Sequence, residues 1–138
     1  MNPTRILLVD DEKIYLAALK ERLEIRGLDV TSASDGPSAI EAMGRGPFDA
    51  IILDLQMPGM DGVETLKEIL ALDRNAQVIF LTGRGTIAKG IEVFDRGAID
   101  FISKPADLTK LLTRIEDAAA RRSALLKMPP GLDVDGGG

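Results

Sequence analysis

Short runs of continuously apolar residues recur along this chain, and each stops at a residue able to handle charge. Ile6 to Val9 runs into Asp10-Asp11, Ala50 to Leu53 into Asp54, Val78 to Leu81 into Thr82-Gly83, and Phe101-Ile102-Ser103 into Lys104-Pro105. Short, unbroken apolar runs mark strands buried on both faces, and their alternation with helical patterns gives a parallel sheet covered by helices on both sides. Right-handed crossovers place ligands at the carboxyl ends of such strands, near the point where strand order reverses. The expected fold is therefore α/β, a doubly wound five-stranded parallel sheet of flavodoxin-like (βα)5 order 2-1-3-4-5. Asp10, Asp11, Asp54, Thr82 and Lys104 then meet on one edge without being sequence neighbours.

Residue spacing predicts the elements. Arg5 to Val9 is the first strand, followed by a helix from about Glu12 to Arg26 with Leu16, Leu19 and Leu23 inward and Gly27 as its stop. Leu28 to Ala33 is the second strand. Asp35-Gly36-Pro37 opens a short helix that turns Ile40 and Met43 to the core and ends at Gly44 and Gly46. The third strand carries Asp54, and after the Pro58-Gly59 turn a helix over Gly62 to Leu72 places Val63, Leu66 and Leu70 on one stripe. Gln77 to Leu81 is a buried fourth strand. Ile87, Ile91 and Phe94 space a further helix ended by Gly97, Asp100 to Ser103 forms the fifth strand, and a last helix from about Asp107 to Leu126 turns Leu108, Leu111, Leu112 and Ile115 inward. One folded unit over 1–127 and a disordered tail or linker stub over 128–138, broken by Pro129-Pro130 and ending in three glycines, are expected.

Composition narrows the chemistry. The 138 residues, 45% hydrophobic and 28% charged, suit one globular unit with a proper core. Without cysteine there are no disulfides or thiolate chemistry, and without histidine the chain can be neither a histidine kinase nor a histidine phosphotransfer protein. A net charge of -5 argues against nucleic-acid binding by the chain itself. No apolar stretch reaches membrane-spanning length and the start lacks a signal-peptide layout, so no membrane partner and a cytoplasmic location are expected.

Carboxylates at the ends of adjacent strands, about 5 Å apart, repel by about 3 kcal/mol per pair at an effective dielectric near 20. Either one carboxyl keeps its proton or a divalent cation neutralises the group. An all-oxygen donor set selects hard cations, Mg2+ first, with Mn2+ or Ca2+ able to substitute. Taken alone, Asp10-Asp11 reads as a helix cap, Lys104 as a solvated lysine, Thr82 as a turn residue and Phe101 as half-buried strand packing. Gly83-Arg84-Gly85 lacks the spaced third glycine of a dinucleotide loop, and the acidity of Asp10, Asp11 and Glu12 repels a bare nucleotide phosphate.

The ordered set Asp10-Asp11, Asp54, Thr82 and Lys104-Pro105, with Leu53 to Gly62 and Gly97 to Pro105 around it, resembles the receiver domain of two-component response regulators over roughly Thr4 to Ala120. The resemblance implies a phosphorylation-controlled switch in a phosphorelay rather than a conventional enzyme. Asp54 becomes the phosphoacceptor, supplied by a sensor histidine kinase or a histidine phosphotransfer protein. Asp11, Asp54 and the Gln56 backbone carbonyl become Mg2+ ligands, with Asp10 acting directly or through water. Thr82 and Lys104 receive the phosphoryl oxygens, the bond before Pro105 is cis, and Thr82 with Phe101 forms the switch. The changed surface comprises the fourth helix, fifth strand and last helix, where Asp95, Arg96, Asp100, Lys110 and Arg114 suit a homodimer or a partner protein. A Mg2+-dependent phosphatase with an Asp nucleophile is the enzymatic rival, weakened because Gln56 stands where its second carboxylate belongs. An interaction module that works without phosphorylation is the third reading. Too few residues follow the last helix for a DNA-binding domain, so either a stand-alone receiver or a fragment of a longer regulator is expected.

Overall fold

The computed structural model describes residues 3–55, 62–83 and 100–128. Its strands are β1 (Arg5–Val9), β2 (Asp29–Ala33), β3 (Ala50–Asp54), β4 (Val78–Thr82) and β5 (Asp100–Ser103). They form one parallel sheet of order β2-β1-β3-β4-β5, so the reversal of strand order falls between β1 and β3. The described helices are α1 (Lys13–Ile25), α2 (Gly36–Met43), α3 (Gly62–Leu72) and a C-terminal helix, Leu108–Leu126. The helix expected around Ile87, Ile91 and Phe94, and the tail beyond Met128, lie outside the described residues.

Because successive strand residues point to opposite faces, one sheet feeds two cores. Leu7, Val9, Ile51, Leu53, Val78 and Phe80 pack with Ala39, Ala42, Val63, Leu66 and Ile69 from α2 and α3. Ile6, Leu8, Ala50, Ile52, Ile79 and Leu81 pack with Leu16, Leu19 and Leu23 of α1 and with Leu111, Ile115 and Ala118 of the C-terminal helix. A leucine or isoleucine buried this completely contributes about 2 kcal/mol relative to exposure. All five residues of β3 are buried, which accounts for its unbroken apolar run up to Asp54.

Several inward faces differ from the spacing pattern. In α2 the buried residues are Gly36, Ala39 and Ala42, while Ile40 and Met43 pack only partly against the core. α2 lies against α3, and small side chains permit that approach. In α3, Ile69 and Thr65 are buried and Leu70 is half-buried, because the stripe continues from Leu66 through the next turn. Leu108 and Leu112 likewise flank the C-terminal helix's buried line rather than forming it. That line ends at Arg122, which is buried with its Nη1 2.5 Å from Asp73 Oδ2.

The ends of the helices follow local chemistry. Gly27 terminates α1 with φ at +91°, a conformation that glycine adopts freely. Asp35 and Asp107 cap α2 and the C-terminal helix, accepting from Ser38 N at 2.8 Å and Lys110 N at 3.0 Å. The Ser38 backbone N–H holds the Asp35 carboxyl below its ordinary range. α1 starts at Lys13 rather than Glu12, whose backbone is extended and whose N–H is bonded to Asp10.

Candidate functional site

Asp54 is the last residue of β3, pairs in register with Leu81 and is only 4% exposed. Asp10 follows β1 directly, and its N–H reaches across to the Ala33 carbonyl at 3.1 Å. Its Oδ1 accepts from the Glu12 N–H at 2.8 Å, which folds the chain into α1. Its Oδ2 stands 2.8 Å from the Lys104 ammonium. Lys104 follows β5 and brings Nζ into the same space, 3.6 Å from Asp54 Oδ2 and donating to Glu12 Oε1. The ammonium also lies over the Tyr15 ring, 4.7 Å from its centroid, and the Tyr15 hydroxyl accepts from the Ala106 N–H at 3.1 Å. The Lys104–Pro105 bond is cis.

Asp10, Glu12 and Asp54 bring carboxylate oxygens within 4.8 Å of one another around a single ammonium. Burial alone would push the Lys104 ammonium down; hydrogen bonds to Asp10 and Glu12 and the charges of Asp54 and Asp10 outweigh it and hold the group above the ordinary lysine value. Lys104 is therefore charged at neutral pH. Negative charge still exceeds positive, and Asp10 Oδ2 is buried without a well-aligned hydrogen bond despite its ion contact. Three carboxylates around one ammonium, an all-oxygen donor set with net negative charge, fit a hard divalent cation. Gly62 closes the floor. A Cβ there would stand 2.8 Å from Asp54 O and from Leu55 Cα and O, so only glycine lets α3 begin against the chain leaving Asp54.

Of the residues singled out from sequence, Asp10, Asp54 and Lys104 converge here. Asp11 is half-buried in the bend before α1 and is not among the three gathered carboxylates, the third of which is Glu12. The Thr82 backbone ends β4 opposite Ser103, whereas its side chain, Gln56 and Arg84 lie outside what is described. Phe101 pairs in register with Phe80 and packs half-buried against the core on the α2 and α3 side. The sequence reading gives Glu12 as a helix start and a repulsive charge, and does not single out Tyr15. Their i, i+3 spacing at the start of α1 was the available signal.

Residues 6–116 match the model of the response regulator receiver domain family. Response regulator MprA from Mycobacterium sp. (strain KMS) is 32% identical over 121 residues, covering 88% of this chain and 53% of that protein. The transcriptional regulatory protein PrrA of Mycobacterium bovis is 33% identical over 120 residues, covering 87% and 52%. The chain thus spans about half the length of these curated relatives. Among solved structures, a response regulator receiver domain protein from Clostridium thermocellum superposes with a TM-score of 0.84 at 31% identity, covering 88% of this chain and 98% of that one. With this sheet order and with acidic and lysine side chains meeting at its carboxyl edge, the chain belongs to the response regulator receiver domain family.

Proposed function

We propose that this domain is a phosphorylation-controlled signalling switch with Asp54 as the phosphoacceptor. The observation that carries the reading is Asp54 itself, a buried carboxylate at the end of the central strand with Lys104 Nζ 3.6 Å away. One Asp54 oxygen attacks phosphorus, the bond from phosphorus to the donor's nitrogen or oxygen breaks with its electron pair, and the leaving group takes up a proton. An acyl phosphate results. A divalent cation, Mg2+ or in its place Mn2+, would supply charge neutralisation for the attack when bound. Asp10 and Asp54 would hold it, with Asp11 and the Gln56 carbonyl as the family resemblance assigns them.

Lys104, with its Nζ 3.6 Å from Asp54 Oδ2, would contribute the remaining positive charge to the incoming phosphoryl oxygens. Because the chain contains no histidine, a phospho-histidine donor belongs to a sensor kinase or phosphotransfer partner. On phosphorylation, about two negative charges are added beside Lys104 and the end of β4. Thr82 is drawn toward them and Phe101 turns inward, biasing one of two packed states of the surface around β5. The Asp100–Arg114 ion pair, 3.1 Å, lies on that surface and is available for exchange with a second copy or a partner protein.

Intact mass after incubation with acetyl phosphate and Mg2+ tests the reading. Wild type gains one phosphate and Asp54→Asn gains none; equal labelling of the two removes Asp54 from the role.

A further inference from the structure

The Lys104 ammonium is shared in this structure rather than committed to Asp54. It is closer to Asp10, 2.8 Å, than to Asp54, 3.6 Å, and it hydrogen-bonds Glu12 while resting on the Tyr15 face. Glu12 and Tyr15 both come from the start of α1, and each is held by a second contact. The Glu12 N–H is fixed by Asp10 Oδ1, and the Tyr15 hydroxyl accepts from Ala106, two residues after Lys104. The Glu12 side chain is 64% exposed and the Lys104 side chain only 8%, so Glu12 can swing into solvent and release Lys104 within the pocket without disturbing the core.

We propose that Glu12, with Tyr15 beneath it, is a positioning residue that holds the Lys104 ammonium on the Asp10 and α1 side of the pocket, short of full engagement with Asp54, and releases it when a phosphoryl group arrives. This inference rests on the phosphoacceptor reading of Asp54. Glu12 is a competitor for Lys104: each contact it keeps is one the phosphoryl oxygens must displace. Its strength therefore sets how readily Asp54 is phosphorylated. Release also frees a carboxylate on the rim of the pocket, beside the exposed first turn of α1 where Ile14 is 89% exposed.

The test uses Glu12→Gln, alone and combined with Lys104→Met, in the full chain. An exposed ion pair of this kind is worth roughly two- to fivefold in an equilibrium, so Glu12→Gln speeds labelling by acetyl phosphate by about that factor. In the Lys104→Met background the effect vanishes, because Glu12 then has no ammonium to hold. If Glu12→Gln speeds labelling equally in both backgrounds, Glu12 acts by repelling the anionic donor and the proposal is wrong. Independently of labelling, NMR of the unphosphorylated protein reads the parked state. The Lys104 ε-methylene protons, beside the Tyr15 face, are shifted upfield in wild type and move toward their ordinary position in Glu12→Gln. No movement overturns the proposal. A tenfold loss of Mg2+ affinity in Glu12→Gln also overturns it, by making Glu12 a metal ligand. Absence of any labelling in wild type, with the NMR shift behaving as expected, would instead defeat the phosphoacceptor reading and leave the parking contact standing.

Discussion

The two ends of the sheet treat charge in opposite ways. At the amino ends of the strands, Arg5 donates to the Pro47 and Arg45 carbonyls at 3.0 and 2.9 Å, lies 3.6 Å from Asp29 and stacks on Phe48. Its own N–H is taken by Asp49 at 2.8 Å, and nearby Arg122 closes on Asp73. Arginine suits this end because its planar fork satisfies several acceptors at once and never loses its charge. At the carboxyl ends three carboxylates share one lysine, and a buried oxygen of Asp10 lacks an aligned donor. One end, apart from the buried Gln77 Oε1, pairs its charges internally and stabilises the fold. The other is left short of positive charge, which a ligand can supply.

Breaking each end in turn should separate stability from activity. The largest effect is expected from Gly62→Ala, whose methyl meets Asp54 and Leu55 backbone atoms that cannot yield cheaply. It should cost about 3 kcal/mol in denaturant unfolding and also slow Asp54 labelling, since the obstructed atoms include Asp54 itself. At the opposite end, Arg122→Met keeps the packing stem but strands Asp73. The cost should be about 2 kcal/mol, below that of a fully buried pair because Asp73 keeps some solvent access, with the labelling rate unchanged. A slowed rate in Arg122→Met would show that the two ends are mechanically linked.

The smallest effect is a pH dependence confined to the lysine end. Lys104 is held above the ordinary value of 10.5, so the folded state binds its proton more tightly than the unfolded chain. That stabilisation is complete below pH 10.5 and is lost as pH rises through the folded value. The difference in unfolding free energy between wild type and Lys104→Met should be flat at neutral pH and shrink above that point. Arg122→Met should show no such alkaline change against wild type, because arginine does not titrate there.

Much of this was legible in the sequence because apolar runs buried on both faces leave few alternatives. β1, β5 and α3 fall where their residues predict, and the sheet order follows from the same alternation. Periodicity was less informative about which member of a stripe is deepest. In α2 the close approach to α3 selected Ala39 and Ala42 over the larger Ile40 and Met43, a decision made by the neighbouring helix. At the site, strand ends foretold that Asp10, Asp54 and Lys104 would meet. Glu12 and Tyr15 carried only their i, i+3 spacing as a signal, because they act across about ninety residues of sequence on the Lys104–Ala106 segment, and an exposed acid at the start of a helix usually does nothing of the kind.

The position of each strand in the sheet also decides which part of the site opens first. β3 is paired on both sides and wholly buried, whereas β5, among the described residues, is an edge strand with a neighbour on one side only. Local opening begins at such edges, at a free energy well below that of global unfolding. Fraying of β5 withdraws Lys104 and leaves Asp10 and Asp54 in place, making the pocket more acidic for as long as it lasts. Amide exchange should therefore be slowest at Asp54 and faster at Ser103. The nucleophile then sits on the most persistent strand, while its cation is supplied by one of the most dispensable.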